Sequence, residues 1–296
     1  MFKLHGELIS KRYRHDPYSA FFVCDPKRRH IHKATVRDRV LHQAVFRVLY
    51  RLFDKHFIYD SHSSRSCKGT HAGFERLASA LRKVTVNWRR PAYALKCDVR
   101  KFFDSIDYVI LRELVVRKVQ DPDTLWLLDV IFQSFEKKKG KGLPLGNVTS
   151  QLFANVYLNE LDQFAKHALK ARHYFRYCDD FVIVHPDRKF LEDAVGRIRA
   201  FLHDRLALDL HPNKVEIRKV RQGIDFLGYV ALPHAAVLRT KTGKRIIRKL
   251  DEARASLVAG KLPQSTFDGM IASYLGVLSH SKNRRLHAKI AKYRDL

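Results

Sequence analysis

The chain has 296 residues, 46% of them hydrophobic, enough to bury a core, and the usual size of a domain points to two or three substructures. Its 57 Lys and Arg against 30 Asp and Glu give a formal net charge of +27, a surplus that repels itself when folded and calls for a polyanionic partner, nucleic acid first. That composition excludes a largely disordered chain. Cys24, Cys67, Cys97 and Cys178 stand singly, without C-x-x-C pairs or finger spacing, so neither a zinc site nor a disulfide framework is expected and a reducing cytoplasm fits. No apolar run reaches the roughly 18 residues that span a bilayer, and the N-terminal MFKLHGELISKRYRH lacks the apolar stretch of a signal peptide. No membrane partner is expected.

Residues 20–33, AFFVCDPKRRHIHK, read as two strands around a turn at Asp25-Pro26, the second strand basic. From Val36, the apolar residues Val40, Leu41, Ala44, Val45, Val48, Leu49, Leu52 and Phe53 recur at three- and four-residue spacing and predict an amphipathic helix over 36–57. Residues 92–98, AYALKCD, predict a short apolar strand ending in an acid, followed by a helix from about Tyr108 to Lys118. The Gly/Pro loop KKKGKGLPLGN leads into a helical pattern through Leu152, Phe153, Val156, Tyr157, Leu161, Phe164, Ala165 and Ala168. HYFRYCDDFVIVH then reads as a tight hairpin whose tip carries two acids. A helix over about 189–206, a strand pair around 215–230 and a basic helical tail complete the chain. From residue 232 onward, 14 Lys and Arg stand against four Asp and Glu. No linker is long enough to separate independent domains, so the parts are expected to pack together.

In an α+β pattern of this kind strand ends lie beside neighbouring strand tips, which places Asp98 and the Asp179-Asp180 pair, about 80 positions later, to converge. An Asp-Asp at a hairpin tip is by itself ordinary turn chemistry. This one is flanked by apolar runs, follows a second strand-terminal Asp and sits in a strongly basic chain. Three carboxylates at one point cannot all stay ionised without a counterion, and for such oxygen donors the usual one is Mg²⁺. On a polyanion-binding protein a two-metal carboxylate site means phosphoryl transfer.

Taken in order, KCDVRKFFDSID, GLPLGNVTSQLFANVYLNELD, RYCDDFVIV and GIDFLGY resemble successive motifs of reverse transcriptases over roughly residues 20–230. L-G-N-V-T-S-Q, where P-Q-G-x-x-x-S-P is more usual, resembles the reverse transcriptases of diversity-generating retroelements. The resemblance implies an α+β right-hand polymerase fold: fingers over 1–91, a palm of antiparallel sheet backed by helices over 92–230, and a basic helical thumb over 231–296. It implies that Asp98, Asp179 and Asp180 bind two Mg²⁺ ions, the first two bridging both and Asp180 supporting. Lys214, in HPNKVEI, resembles the lysine that protonates departing pyrophosphate. Phe103, five residues after Asp98, takes the register of the ring that excludes a 2′-hydroxyl, which singles it out from Phe102. Lys27 and Arg29 match the pair that meets the β- and γ-phosphates, with Arg28 on the opposite strand face. Leu145, Gly146 and Gln151 fall at the nucleotide site, and Phe226, Leu227, Gly228 and Tyr229 at the turn holding the primer end. Asp104 and Asp107 read instead as cap and dipole partners at a helix start.

Leu145 departs from the Gln that many relatives carry. It removes a polar check on the templating pair, so low fidelity and adenine-directed errors are expected. The partners so implied are a template RNA and its cDNA, deoxynucleoside triphosphates and a small basic accessory variability protein, an oligomer; the tail would grip duplex phosphates. Removal of the RNA strand and integration of the cDNA are expected to fall to other factors, since no RNase H or endonuclease segment is expected here, and trimmed fingers are expected because the basic hairpin starts about 20 residues from Met1. The alternatives are a retron, group II-like or phage-defence reverse transcriptase, and a catalytically silent RNA-binding protein of the same shape.

Overall fold

The computed structural model describes residues 2–24 and 27–294; the expected turn at Asp25-Pro26 lies outside the described residues. In chain order the elements are α1 (Phe2–Ile9), β1 (Ser19–Cys24), β2 (Arg28–Lys33), α2 (Val36–Phe53), α3 (Thr70–Val84), β3 (Tyr93–Asp98), α4 (Phe102–Ser105), α5 (Tyr108–Val116), α6 (Pro122–Gln133), α7 (Val148–Gln163), β4 (His173–Tyr177), β5 (Asp180–His185), α8 (Arg188–Leu206), β6 (Glu216–Lys219), β7 (Ile224–Phe226), β8 (Tyr229–Leu232), β9 (Ala235–Leu238), α9 (Thr240–Val258), α10 (Gln264–Ser279) and α11 (Arg284–Ala291). This is a mixed α+β chain. It divides into two compact units, the first comprising Met1–Gly69, Leu95–Ile183 and Lys189–Glu216, the second Thr70–Ala94, Val184–Arg188 and Ile217–Leu296.

In the first unit α7 is the central helix. Leu152, Phe153, Ala154, Val156, Tyr157, Leu158 and Leu161 are all buried, so it is apolar nearly all round, as a helix enclosed on every side must be. Its α-helical bonding ends at Gln163 and a π-helical turn continues over Phe164–Ala168. Helix α2 begins where Thr35 Oγ1 accepts from the backbone N–H of Asp38 at 3.3 Å; it buries Leu41, Leu49 and Phe53 and packs against α7. The expected apolar face is wider than this: Val40 and Val48 are exposed. Leu41 packs with Leu4 and Tyr13, against Leu8 of α1 and Trp126, Leu127 and Val130 of α6, while Val40 and Val48 lie outside the stripes that the neighbouring helices cover.

Strands β4, β5 and β3 lie side by side in that order. Leu95, Cys97, Tyr174, Phe175, Phe181, Val182 and Ile183 are buried, which explains the unbroken apolar run: both faces of the sheet are covered, so alternation is lost. Leu191, Ala194, Ile198, Leu202 and Leu206 form the buried face of α8. The β1–β2 hairpin is different. It pairs antiparallel from Ser19 opposite Lys33 to Cys24 opposite Arg28, yet every residue of β1 is exposed, with Phe21 at 46% and Phe22 at 53%.

In the second unit β7, β8 and β9 form an antiparallel meander. A helical tail from 231 is therefore corrected: residues 235–238 form β9, and helix starts at Thr240. The β-branched and small residues of YVAL and AAVL favour a pleated pair joined by Pro233-His234. Gly223, at φ 86°, makes the preceding turn possible, since a Cβ there would lie 2.7 Å from Leu232 Cδ2. Helices α9, α10 and α11 pack together through Ile246, Leu250, Phe267, Ile271, Leu278 and Ile290.

Candidate active site

Strand β3 ends in Asp98, and between β4 and β5 the chain reverses through Cys178, which takes a left-handed φ of 55°, and Asp179. The backbone N–H of Val99 donates to the Asp179 carbonyl at 3.1 Å, and that of His211 to the Asp98 carbonyl at 2.8 Å. The first bond pins the end of β3 to the turn, and the second pins it to the segment after α8. Burial, and then the Asp98 charge, raise the Asp179 carboxyl above its ordinary range, so the two acids act on one another directly. Lys214 joins them, its Nζ donating to Asp98 Oδ2 at 2.8 Å. Asp180 opens β5, and its Oδ2 lies 3.9 Å from Lys96 Nζ.

Among the described residues no three His, Cys, Asp or Glu side chains form a ready metal cluster. Asp98 and Asp179 nevertheless suit a hard divalent cation. They are oxygen donors, and the burial and like charge that disfavour ionised Asp179 are costs a divalent ion would relieve.

The turn rests on a buried ion pair that the sequence reading does not single out. Arg176 and Asp162 are both 0% exposed at their side chains. Arg176 Nε donates to Asp162 Oδ1 at 2.7 Å and Nη2 to Oδ2 at 2.6 Å, a two-pronged contact that suits the guanidinium fork. Its Nη1 donates to Asn155 Oδ1 and to the Cys178 carbonyl, both at 3.1 Å, and Nη2 to Ser61 Oγ at 3.1 Å. Tyr174 completes the set, donating its hydroxyl to Asp162 Oδ1 at 2.8 Å. The Cys178 carbonyl of the aspartate turn is thus one of the groups satisfying the arginine. A signal for it exists: an Arg inside the apolar run HYFRY must find a partner. The neighbouring thiol of Cys178 is pushed up to about 12 by burial and then by the Asp179 charge.

Of the residues expected near the nucleotide, Leu145 and Gly146 lie in the loop before α7, and the others on α4, α7 and the β1–β2 hairpin. Phe102 is buried and Phe103 partly exposed; the Phe103 carbonyl accepts from the N–H of Leu143 at 2.7 Å. Two residues on, the Leu145 carbonyl accepts from the N–H of His32 in β2 at 2.8 Å, and Asn147 Nδ2 donates to the His32 carbonyl at 3.2 Å. Gly146 sits between them at φ 115°, where a Cβ would lie 2.9 Å from Ile31 Cγ2. The loop therefore ties α4 to β2. Lys27, Arg28 and Arg29 are exposed at the hairpin end, with the Arg28 guanidinium 3.9 Å from the centre of the Phe22 ring. Gln151 is exposed on α7. Asp107 caps α5, accepting from the N–H of Val109 at 3.0 Å and of Ile110 at 3.4 Å, while Asp104 lies in the single turn of α4.

In the second unit Leu227 and Gly228, at φ 53° and 91°, form the two-residue turn from β7 to β8, the hairpin geometry that needs left-handed residues. Phe226 and Tyr229 flank it, buried. The Tyr229 hydroxyl donates to the Val277 carbonyl at 2.9 Å and lies 3.0 Å from His71 Nε2. Among the described residues no helix is long and apolar enough to cross a membrane.

The chain is 24% identical to Protein YkfC of Escherichia coli (strain K12) over 93% of its length and 78% of that protein. It is 23% identical to the group II intron-encoded protein LtrA of Lactococcus lactis subsp. cremoris over 80% of its length, spanning 50% of that protein. Among solved structures it superposes on telomerase from Candida albicans in complex with the TWJ fragment of telomeric RNA, with a TM-score of 0.56 at 13% identity over 95% of this chain and 56% of that one. Apo telomerase from Candida tropicalis, truncated from the C-terminal domain, gives 0.55 at 13% identity over 80% of this chain and 59% of that one. At that identity the likeness speaks for the fold, which is that of a right-hand polymerase. The family model described as reverse transcriptase (RNA-dependent DNA polymerase) matches residues 24–231, well over half of the sequence and every element of the aspartate site. The chain belongs to the reverse transcriptase family, the RNA-dependent DNA polymerases.

Proposed function

We propose that this chain extends a primer along an RNA template, making cDNA from deoxynucleoside triphosphates by phosphoryl transfer. The observation that carries this reading is the meeting of Asp98 and Asp179 at the β3 end and the β4–β5 turn, with the Val99 N–H on the Asp179 carbonyl. Asp98 and Asp179, with Asp180 beside them, would hold Mg²⁺, which when bound supplies activation of the primer hydroxyl and stabilisation of the leaving pyrophosphate. Lys214 neutralises Asp98 and offers an ammonium proton to the departing pyrophosphate. Phe103 presents a ring against the sugar C2′, and Lys27 and Arg29 meet the triphosphate. Gly146 lets the loop backbone close on β2, with Leu145 and Gln151 at the nucleotide. Phe226, Leu227, Gly228 and Tyr229 steady the primer end, and the basic helices α9 to α11 hold duplex phosphates. In this reading residues 1–91 serve as fingers, 92–230 as palm and 231–296 as thumb.

The test is primer extension on an RNA template with Mg²⁺. Asp179→Asn should lose at least about a thousandfold in rate, the scale of a lost transition-state electrostatic contact, with its melting curve intact. Equal extension by parent and variant would sink the reading.

The finer reading is an error-prone polymerase of a diversity-generating retroelement, working with a template-repeat RNA and a small basic accessory protein; it rests on L-G-N-V-T-S-Q and the apolar Leu145. Sequencing cDNA from the parent should show errors concentrated opposite template adenines, and Leu145→Gln should reduce them. A second reading, a group II intron-type enzyme, is favoured by the likeness to the intron-encoded protein, and an adenine-neutral error spectrum would select it.

A further inference from the structure

The second unit contains a cavity of about 660 Å³ that the polymerase reading, Tyr229 apart, leaves unused, lined by rings, cations, small apolar residues and the Glu75 carboxylate, which pairs with His280 at 3.7 Å, from α3, the turn after it, the β8–β9 hairpin and the residues after α10. Its size falls within the range of small-ligand sites. Trp88 and His234 both line it and meet edge to face, with ring centroids 6.2 Å apart at 60°. His71 and His280 stack at 3.7 Å and 27°. Arg82 and Lys282 also line it, the Lys282 ammonium being 3.3 Å from the His234 carbonyl.

The backbone that presents the Trp88 and His234 rings is strained. Val86, Asn87 and Trp88 are three consecutive non-glycine residues in the left-handed region, at φ 50°, 54° and 69°, and a β-branched Val is ill suited to that conformation. Thr85 holds the turn in place. Its Oγ1 accepts from the N–H of Trp88 at 2.9 Å, and its carbonyl from the N–H of Arg90 at 2.8 Å. His234 stands at φ 64° after Pro233, a position where Gly or Asn is the usual choice. Two large rings are therefore carried on turns that favour residues without them, and strain retained in this way concentrates at ligand sites.

Rings recognise the face of a nucleobase whatever its sequence, and cations recognise the phosphate beside it. A base within a duplex has both faces covered, so only an unpaired one can enter. We infer that this cavity binds one unpaired RNA nucleotide, with its base against Trp88 and His234 and its phosphate toward Arg82 and Lys282. His234 is exposed, so its ring can swing aside to admit the base that the present 6.2 Å spacing would not accommodate between the two. Tyr229 is common to this cavity and the primer turn; the other residues named are separate from those proposed for catalysis.

Trp88 and Trp126 are the two tryptophans of the chain, so a Trp126→Phe background leaves Trp88 as the sole fluorescent reporter. Adenosine 5′-monophosphate and a single-stranded oligoadenylate should quench it saturably, and ribose 5-phosphate should not. His234→Ala should weaken binding about tenfold, in the range of one lost base–ring stack, and Arg82→Gln with Lys282→Gln should lower affinity and flatten its salt dependence. His234 lies on an exposed turn, and a melting curve checks that each variant is folded. Asp179→Asn should bind as the parent does, which separates failure of this site from failure of the polymerase reading. Equal quenching by ribose 5-phosphate, no quenching by the nucleotide, or quenching unchanged in both the His234 and the Arg82/Lys282 variants would overturn the inference.

Discussion

The aspartate turn and the β1–β2 hairpin belong to the same unit and are built in opposite ways. Under the turn lies a fully buried Arg176–Asp162 pair with each prong satisfied. The hairpin has no core beneath β1. It is held by its own ladder, by ring contacts such as Phe22 on His30 at 4.7 Å, and by the His32 bonds to Leu145 and Asn147. Chemistry that depends on the spacing of two carboxylates needs a rigid support, whereas the hairpin charges proposed to close on an arriving triphosphate would need freedom to move. The contrast separates residues whose loss unfolds the protein from residues whose loss weakens substrate binding.

The largest effect that would break this contrast concerns the turn. Arg176→Met leaves Asp162 buried without its partner and should cost about 3–5 kcal/mol in denaturant unfolding. Adding Asp162→Leu should return much of that, because the cost lies in an uncompensated charge more than in the missing contact. A single variant as stable as the parent would mean that the pair does not support the turn.

Next in size is a pH effect at a histidine buried between α2 and the start of α7. His42 is buried in α2, with Nδ1 2.7 Å from Thr149 Oγ1 and Nε2 3.0 Å from His15 Nε2. Burial and then the His15 charge lower its pKa from 6.5 to about 4. Between those values the unfolded chain binds a proton that the folded one refuses. Stability is therefore full above pH 6.5 and falls as pH drops toward 4, by up to about 3 kcal/mol. His42→Gln should flatten unfolding free energy against pH across that window. A slope identical to the parent's would assign the effect to other groups.

The smallest effect sharpens the hairpin side. Lys27→Ala with Arg29→Ala should raise KM for deoxynucleoside triphosphates about thirtyfold, or about 2 kcal/mol, within the 1.5–3 kcal/mol of charge-assisted contacts, while leaving unfolding within about 0.5 kcal/mol, as exposed substitutions do. A stability loss of several kcal/mol would show that the hairpin is part of the fold's support after all.

Much of this was legible in the residues because it rests on short-range pattern. Strand 92–98 appears as Tyr93–Asp98, helix 189–206 as Arg188–Leu206, and the CDD hairpin as β4 and β5. Helices α1, α3 and α6 escaped the reading. Helix α1 has one buried residue, Leu4; α3 carries a Gly and a His in its first turn; and α6 starts from an Asp121-Pro122 cap that is easily taken for a loop. In the site, the meeting of Asp98 with Asp179 follows from strand-end logic, because each acid closes or adjoins an apolar strand. The Arg176–Asp162 pair does not follow: its partners lie 14 residues apart, on a strand and a helix, and only packing in three dimensions reveals that both are dry. The cavity around Trp88 was hidden for a related reason, since left-handed backbone at Val86 and Trp88 contradicts what those residue types favour.

The four thiols give the enzyme an unplanned handle for spectroscopy. Cys97 and Cys178 are shielded, with both thiols pushed up to about 12, so at neutral pH they stay protonated and unreactive. Cys24, at the tip of the hairpin, and Cys67 are free and open to solvent. A maleimide dye would therefore attach at these two exposed thiols and not at Cys178 beside Asp179, and with Cys67→Ser in place it would sit on the hairpin alone, where its signal would test whether substrate moves that segment.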